Sequence, residues 1–118
     1  MRIRLTLTLA VAVVAALAGT ALGHHGWSGY DASKEMTLTG SILEAGYEHP
    51  HGYVKLDAGG KVWRVVLAPP TRMENRGLPR DMLKVGTTAT VVGYPNRTDP
   101  EELRAERITI SNKTTELR

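Results

Sequence analysis

Gly52-Tyr53-Val54-Lys55-Leu56-Asp57-Ala58-Gly59-Gly60-Lys61-Val62-Trp63-Arg64-Val65-Val66-Leu67 reads as two strands joined by a tight turn. Over residues 52–56, Val54 and Leu56 take one face while Tyr53 and Lys55 take the other, the alternation of a half-buried strand. Asp57-Ala58-Gly59-Gly60 supplies the turn, and residues 62–67 form the returning strand. Upstream, Met36, Leu38 and Ile42 alternate with Thr37, Thr39 and Ser41, which predicts a first strand with a bend or bulge at Gly40. The three runs make a meander.

Pro69-Pro70 stops the third strand, and Thr71 followed three residues later by Glu74 fits a capping box for a short helix closed by Gly77. Leu83-Lys84-Val85-Gly86 then turns the chain into a fourth strand over residues 87–93, rich in β-branched side chains. Residues 95–100 read as a polar loop and residues 105–110 as a fifth strand. Three strands, one short helix between strands 3 and 4, then two strands is the order of an all-β, five-stranded OB-like Greek-key barrel. An open β-sandwich is the runner-up. Both ends of the domain are expected to be loosely held.

The chain begins like a secretory leader. Arg2 and Arg4 precede an apolar stretch over residues 5–17, and Ala21-Leu22-Gly23 places small residues at both cleavage-determining positions. Ala16-Leu17-Ala18 is an equally good site, so the cleavage position stays open between Gly23 and Ala18. The apolar run falls short of the roughly 20 residues of a membrane span. The expected organisation is a signal peptide over residues 1–23 and a single β-barrel domain over residues 24–118, periplasmic or secreted, with no stable membrane insertion after cleavage. Without Arg2 and Arg4, 13 of the 15 Lys and Arg residues remain against 12 Asp and Glu, a net charge of +1 that implies no nucleic-acid partner. Cysteine is absent, so disulfide staples and thiolate metal sites are excluded.

All four histidines fall in two short groups, His24-His25 and His49-Pro50-His51. Proline biases the residue before it to extended conformations, which projects the His49 and His51 rings from one face, away from the core. Imidazole suits copper, zinc and nickel, and copper(II) stands highest among divalent ions. Cleavage after Gly23 frees an α-amine on His24, whose pKa of roughly 7.7 lets a tightly held metal displace the proton. His24 is then a bidentate ligand and His51 its opposite, a copper site of the histidine-brace type, with His25 or His49 as a fourth ligand. Glu48 or Asp31 is placed to orient a ring. Zinc or nickel is less favoured. The competing reading makes His24-His25 a flexible terminus and His49-Pro50-His51 a solvated approach to the second strand.

Other groups point less sharply. Trp27, Tyr30, Tyr47, Tyr53, Trp63 and Tyr94 include a possible stacking platform, but a chain with no phenylalanine is expected to spend most of them in its core. Arg72, Arg76 and Arg80 read as a solvated helical face, and Glu101-Glu102 as surface. Ser28 and Asp31 lie near the histidine pair, but no nucleophile elbow surrounds that serine.

His24-His25-Gly26-Trp27-Ser28-Gly29-Tyr30-Asp31, Leu38-Thr39-Gly40, Pro50-His51, and Leu83-Lys84-Val85-Gly86 leading into Val91-Val92-Gly93-Tyr94 resemble a family of small exported proteobacterial proteins, the domain of unknown function numbered 6152. That family shows a His-His-Ser-aromatic start and a Trp-x-Asn-Pro-His segment. Here Tyr47 stands at the tryptophan place and His49 at the asparagine place, with His24, His25 and His51 in register. The resemblance implies a periplasmic OB-like barrel and supplies no activity.

Three function classes follow. A metal-binding protein, a copper carrier or sensor component, requires His24 and His51 to converge. A non-enzymatic module binding an oligosaccharide, peptide or envelope protein requires an aromatic groove instead. An oxidase or oxygenase on a copper brace needs an open coordination position and a substrate cleft as well.

Overall fold

A computed structural model describes residues 26–118. The leader, His24 and His25 lie outside the described residues. Strand β2 (Tyr53–Ala58) pairs antiparallel with β3 (Lys61–Val66), from Tyr53 opposite Val66 to Ala58 opposite Lys61. Gly59 and Gly60 make the two-residue turn at φ of +64° and +80°, a double left-handed conformation that glycine adopts without steric cost.

Strand β1 (Met36–Gly46) serves two neighbours in succession. Its first half pairs with β4 (Thr88–Pro95), and its second half pairs with β2. The handover falls at Gly40 and Ser41, where any Cβ on Gly40 would collide with the Asp57 carbonyl, so the expected bend is a point of close backbone approach. Strand β5 (Glu102–Ile110) pairs antiparallel with β4 and closes the barrel by a parallel pairing with β3, Arg64 opposite Glu102 through Val66 opposite Arg104. This closure pairs β3 with β5, two strands that a sandwich would leave unpaired with each other.

Two features differ from the sequence reading. A sixth strand, β6 (Lys113–Glu116), returns along β5 through Ser111 and Asn112, both at positive φ without glycine. The short helix α1 (Pro70–Asn75) has no side-chain cap: Pro69 is its N-cap residue and Pro70 its first residue, so Thr71 lies inside the first turn. Proline at that position needs no N–H partner and already holds a helical φ. Gly77, at φ +85°, does end the helix: its N–H donates to the Glu74 carbonyl and that of Leu78 to the Met73 carbonyl.

The core fills with inward residues of every barrel strand, among them Ile42, Leu56, Val65, Val91, Leu103 and Ile108, with Met73 of α1 joining them. Neither described end is loose. Asp31 N–H donates to the Pro95 carbonyl at 2.9 Å, and Arg97 N–H to the Gly29 carbonyl at 2.9 Å, clamping the segment around a 3-10 turn (Trp27–Gly29) onto the barrel. At the other end Leu117 is buried, and Arg72 and Arg76 donate to the Leu117 and Glu116 carbonyls at 2.9 and 2.8 Å. The arginines read as a solvated face are therefore the anchor of the C-terminus, with Arg80 tied to the Tyr47 carbonyl at 3.2 Å.

Candidate functional site

On the outer face of β2, β3 and β5 lies a cleft of about 250 Å³. One wall is the loop before β2, contributing Pro50, His51 and Gly52, and another is the clamped segment, contributing Gly26 and Tyr30. Tyr53, Arg64 and Val66 supply the floor, and Glu102 and Arg104 come from the start of β5. Gly52 fixes the loop: its N–H donates to the Ala68 carbonyl at 2.9 Å and its carbonyl accepts from Leu67 at 2.8 Å, which extends the hairpin up to His51.

The carboxylate of the cleft is fully engaged. Glu102 Oε2 accepts from the Tyr30 hydroxyl at 2.6 Å and from Asn96 Nδ2 at 3.0 Å, and Arg64 Nε stands 4.0 Å from Oε1. Burial, then the bond to Glu102 and its charge, push the Tyr30 phenol up to about 12.

Arg104 is the opposite case. It has outward parity on β5, between inward Leu103 and Ala105, yet is only 7% exposed because the clamped segment covers it. Its guanidinium carbon lies 4.5 Å from the Trp27 ring centre and 5.8 Å from that of Tyr30, while Arg118 takes a place 4.5 Å from the same Trp27 ring. Nη2 stands 3.2 Å from His51 Nε2. A guanidinium only donates, so that contact requires a lone pair on Nε2 and places the ring proton on Nδ1. Nε has no hydrogen-bond partner, and among the described residues no carboxylate reaches ion-pairing distance of this side chain. Burial accordingly lowers its pKa.

Of the two predicted ligands among the described residues, one lines the cleft and one does not. His51 lines the cleft; His49 is exposed and outside it, in a bend rather than an extended run, next to a cis peptide with Pro50. Asp31 holds the Ser33 hydroxyl and N–H at 2.6 and 3.0 Å, and Glu48 is exposed. Among the described residues, no group of three His, Asp or Glu could hold a metal ion. His24 and His25 lie outside the described residues, but Gly26, the residue that follows them, shares the cleft with His51.

The aromatic expectation is corrected. Among the described residues only Tyr47 and Trp63 are aromatic side chains buried in the core. Trp27 packs edge-on against Tyr30 and Tyr94, at 6.4 and 6.2 Å, outside the barrel, and Tyr53 lies under Arg64 at 4.3 Å. Glu102, read as surface, is instead a cleft residue with 18% of its side chain exposed. The sequence reading does not mark Arg104; the alternation Glu102-Leu103-Arg104-Ala105 is the signal that extends β5 backward to include both.

Residues 11–103 match the family described as "Family of unknown function (DUF6152)". Among proteins with curated descriptions, none matches at a significant level. Similar solved structures include the S. pombe Stn1-Ten1 complex, at 20% identity and a TM-score of 0.53, covering 67% of this chain and 59% of that one. The complex of TiaS with an isoleucine tRNA and ATP gives 21% identity and a TM-score of 0.51, covering 75% of this chain and only 20% of that one. The OBody AM3L09, bound to hen egg-white lysozyme, gives 21% and 0.50, covering 68% of this chain and 83% of that one. This chain thus spans a fifth of TiaS and about three fifths of its Stn1-Ten1 match, and the likeness establishes the OB fold. The chain belongs to the DUF6152 family.

Proposed function

We propose that this DUF6152 protein is a non-enzymatic binding module whose ligand sits in the cleft on the β2, β3 and β5 face. The observation that carries this reading is the cleft's position and lining. It lies on the strand 2–3 face beside the loop that precedes β2, a region that OB barrels use for ligands. Its polar groups are held rigidly by the Tyr30–Glu102–Asn96 bonds and the clamp, so little ordering remains to oppose binding. An exported, periplasmic location is part of the same reading and rests on the leader-like residues 1–23.

Backbone-amide NMR titrations with chitobiose, maltotriose and triglycine test the reading. Saturable shifts clustered at Tyr30, His51, Tyr53 and Arg104 with at least one probe are expected. Shifts scattered over the barrel, with none at those residues, would remove the module reading.

A second reading keeps the metal. Gly26 and His51 line one cleft, and Gly26 directly follows His24-His25 in the sequence. Leader cleavage after Gly23 then brings a copper-binding amine and imidazole within reach of His51. Arg104 ranks this reading second, because it occupies His51 Nε2 and places a cation beside the would-be ion. Copper(II) electron paramagnetic resonance on the processed protein, its first residue established by mass spectrometry, gives nitrogen-coupled lines weakened by His51→Ala if the reading holds. Equal binding by His51→Ala excludes it.

A further inference from the structure

We infer that the cleft is an oxyanion site, in which Arg104 receives the carboxylate or phosphate group of a small ligand and Arg64 guards the rim. This rests on the binding-module reading and specifies its ligand class. A buried cation is ordinarily paired with an acid or coordinated by acceptors, because desolvation disfavours it otherwise. Arg104 is only 7% exposed, and its hydrogen-bond partner among the described residues is a neutral imidazole nitrogen. Its buried Nε–H has no acceptor among the described residues, and Arg118, a like charge, shares the Trp27 ring with it.

The described lining of the cleft is also short of negative charge. Glu102 is the one acid among the described lining residues; its charge acts on Arg104, but its oxygens are already shared by Tyr30, Asn96 and Arg64, so Arg64 and Arg104 leave the described lining with one net positive charge. The Trp27 and Tyr30 ring centres lie 4.5 and 5.8 Å from the guanidinium carbon and restrict its position, which favours recognition of a planar or tetrahedral oxyanion by its fork. A volume of about 250 Å³ accepts such a group together with one attached ring. A metal cation would meet the opposite field.

The test titrates the purified protein with inorganic phosphate, D-galacturonate and D-galactose, following backbone amide shifts. At least one anion is expected to saturate shifts at Tyr30, His51 and Arg104 about tenfold more tightly than galactose. Phosphate alone marks a free ion as the ligand, and galacturonate alone marks a carboxylate presented on a ring; either supports the inference. Arg104→Gln is expected to abolish the preference. Because that side chain is buried, Arg64→Gln on the rim provides a second variant, expected to weaken the anion a few-fold, while the exposed Lys84→Gln outside the cleft leaves it unchanged. Equal cleft binding of galactose and galacturonate overturns the oxyanion site and leaves the module standing. Phosphate binding that is unaltered by both arginine variants overturns it equally. No cleft shift with these probes or with the neutral saccharides and peptide overturns both.

Discussion

Arg104 and Arg107 stand three residues apart on β5, and the protein treats them in opposite ways. Arg107 is 36% exposed and bonds Glu116 of β6 at 3.0 Å, with Glu106 at 3.7 Å. Arg104 is buried beneath Trp27, and among the described residues no carboxylate comes within ion-pairing distance of it, although the charge of Glu102 acts on it from across the cleft. The partner is supplied where water already makes it nearly superfluous and withheld where desolvation makes it most needed. A fold selected only for stability would arrange these the other way, so the cleft end of β5 carries a demand that the β6 end does not.

The sharpest way to break this comparison is to perturb the strand from its other side. Leu103 is fully buried and faces the barrel interior between Glu102 and Arg104. Leu103→Ala is expected to cost about 2–5 kcal/mol, read from the urea unfolding midpoint at constant slope. A loss below about 1 kcal/mol would mean that the strand's inward face is not the structural one, and the contrast between its two faces would fall.

Next in size is the stability of the cleft itself. Arg104→Met preserves length and apolar packing under Trp27 while deleting an unpaired buried charge. It is expected to leave stability unchanged or raise it by about 1–2 kcal/mol while anion binding disappears. Destabilisation by more than about 1 kcal/mol would assign Arg104 a structural role and erase its difference from a core residue.

The two regions are also unequally legible in the sequence. The hairpin and the inward residues Val54, Leu56 and Val91 follow from period-two patterning and the Gly59-Gly60 turn, signals that lie within a few residues of one another. The cleft depends on Tyr30 meeting Glu102 across 72 residues, a juxtaposition created by the clamp and the β3–β5 closure. No local window contains it, so Glu102 reads as surface and the aromatic residues read as core. Strand β6 escapes for a different reason: Ser111 and Asn112 take positive φ, where glycine is the usual marker. Proline at the start of α1 likewise does what the Thr71 and Glu74 spacing is expected to do. His51 is legible as a cleft residue because its parity with Tyr53 and Lys55 puts it outside the barrel, whereas His49 falls off that pattern in the bend.

Alkaline pH sharpens the same contrast. The Tyr30 phenol sits at about 12 against the usual 10, so the neutral form is favoured by folding. That contribution is complete below a pH of about 10 and is lost as pH rises from about 10 towards 12. Phenolate absorbance should lose its latest-titrating component in Tyr30→Phe, and the wild-type midpoint should fall across this window more than that of the variant. Tyr47, Tyr53 and Tyr94 are also raised, by burial for Tyr47 and by bonds to Glu44 and Glu106 for the other two. A Tyr30 titration at the usual value would show that the Glu102 bond does not hold the clamp in solution.

The smallest effect belongs to Arg107. Its bond with Glu116 raises the guanidinium pKa, yet Glu116 has 58% of its side chain exposed and water competes for both ends of the pair. In addition, Arg107 keeps Glu106 nearby when Glu116 is neutralised, so no charge is stranded. Glu116→Gln is therefore expected to leave the urea midpoint within replicate scatter, at low and high salt alike, and to leave anion binding in the cleft untouched. A clear loss of stability that salt abolishes would show that surface pairing secures β6. The asymmetry between the two arginines would then reflect where the chain could place acids, and the missing partner of Arg104 would lose its force as evidence for a ligand.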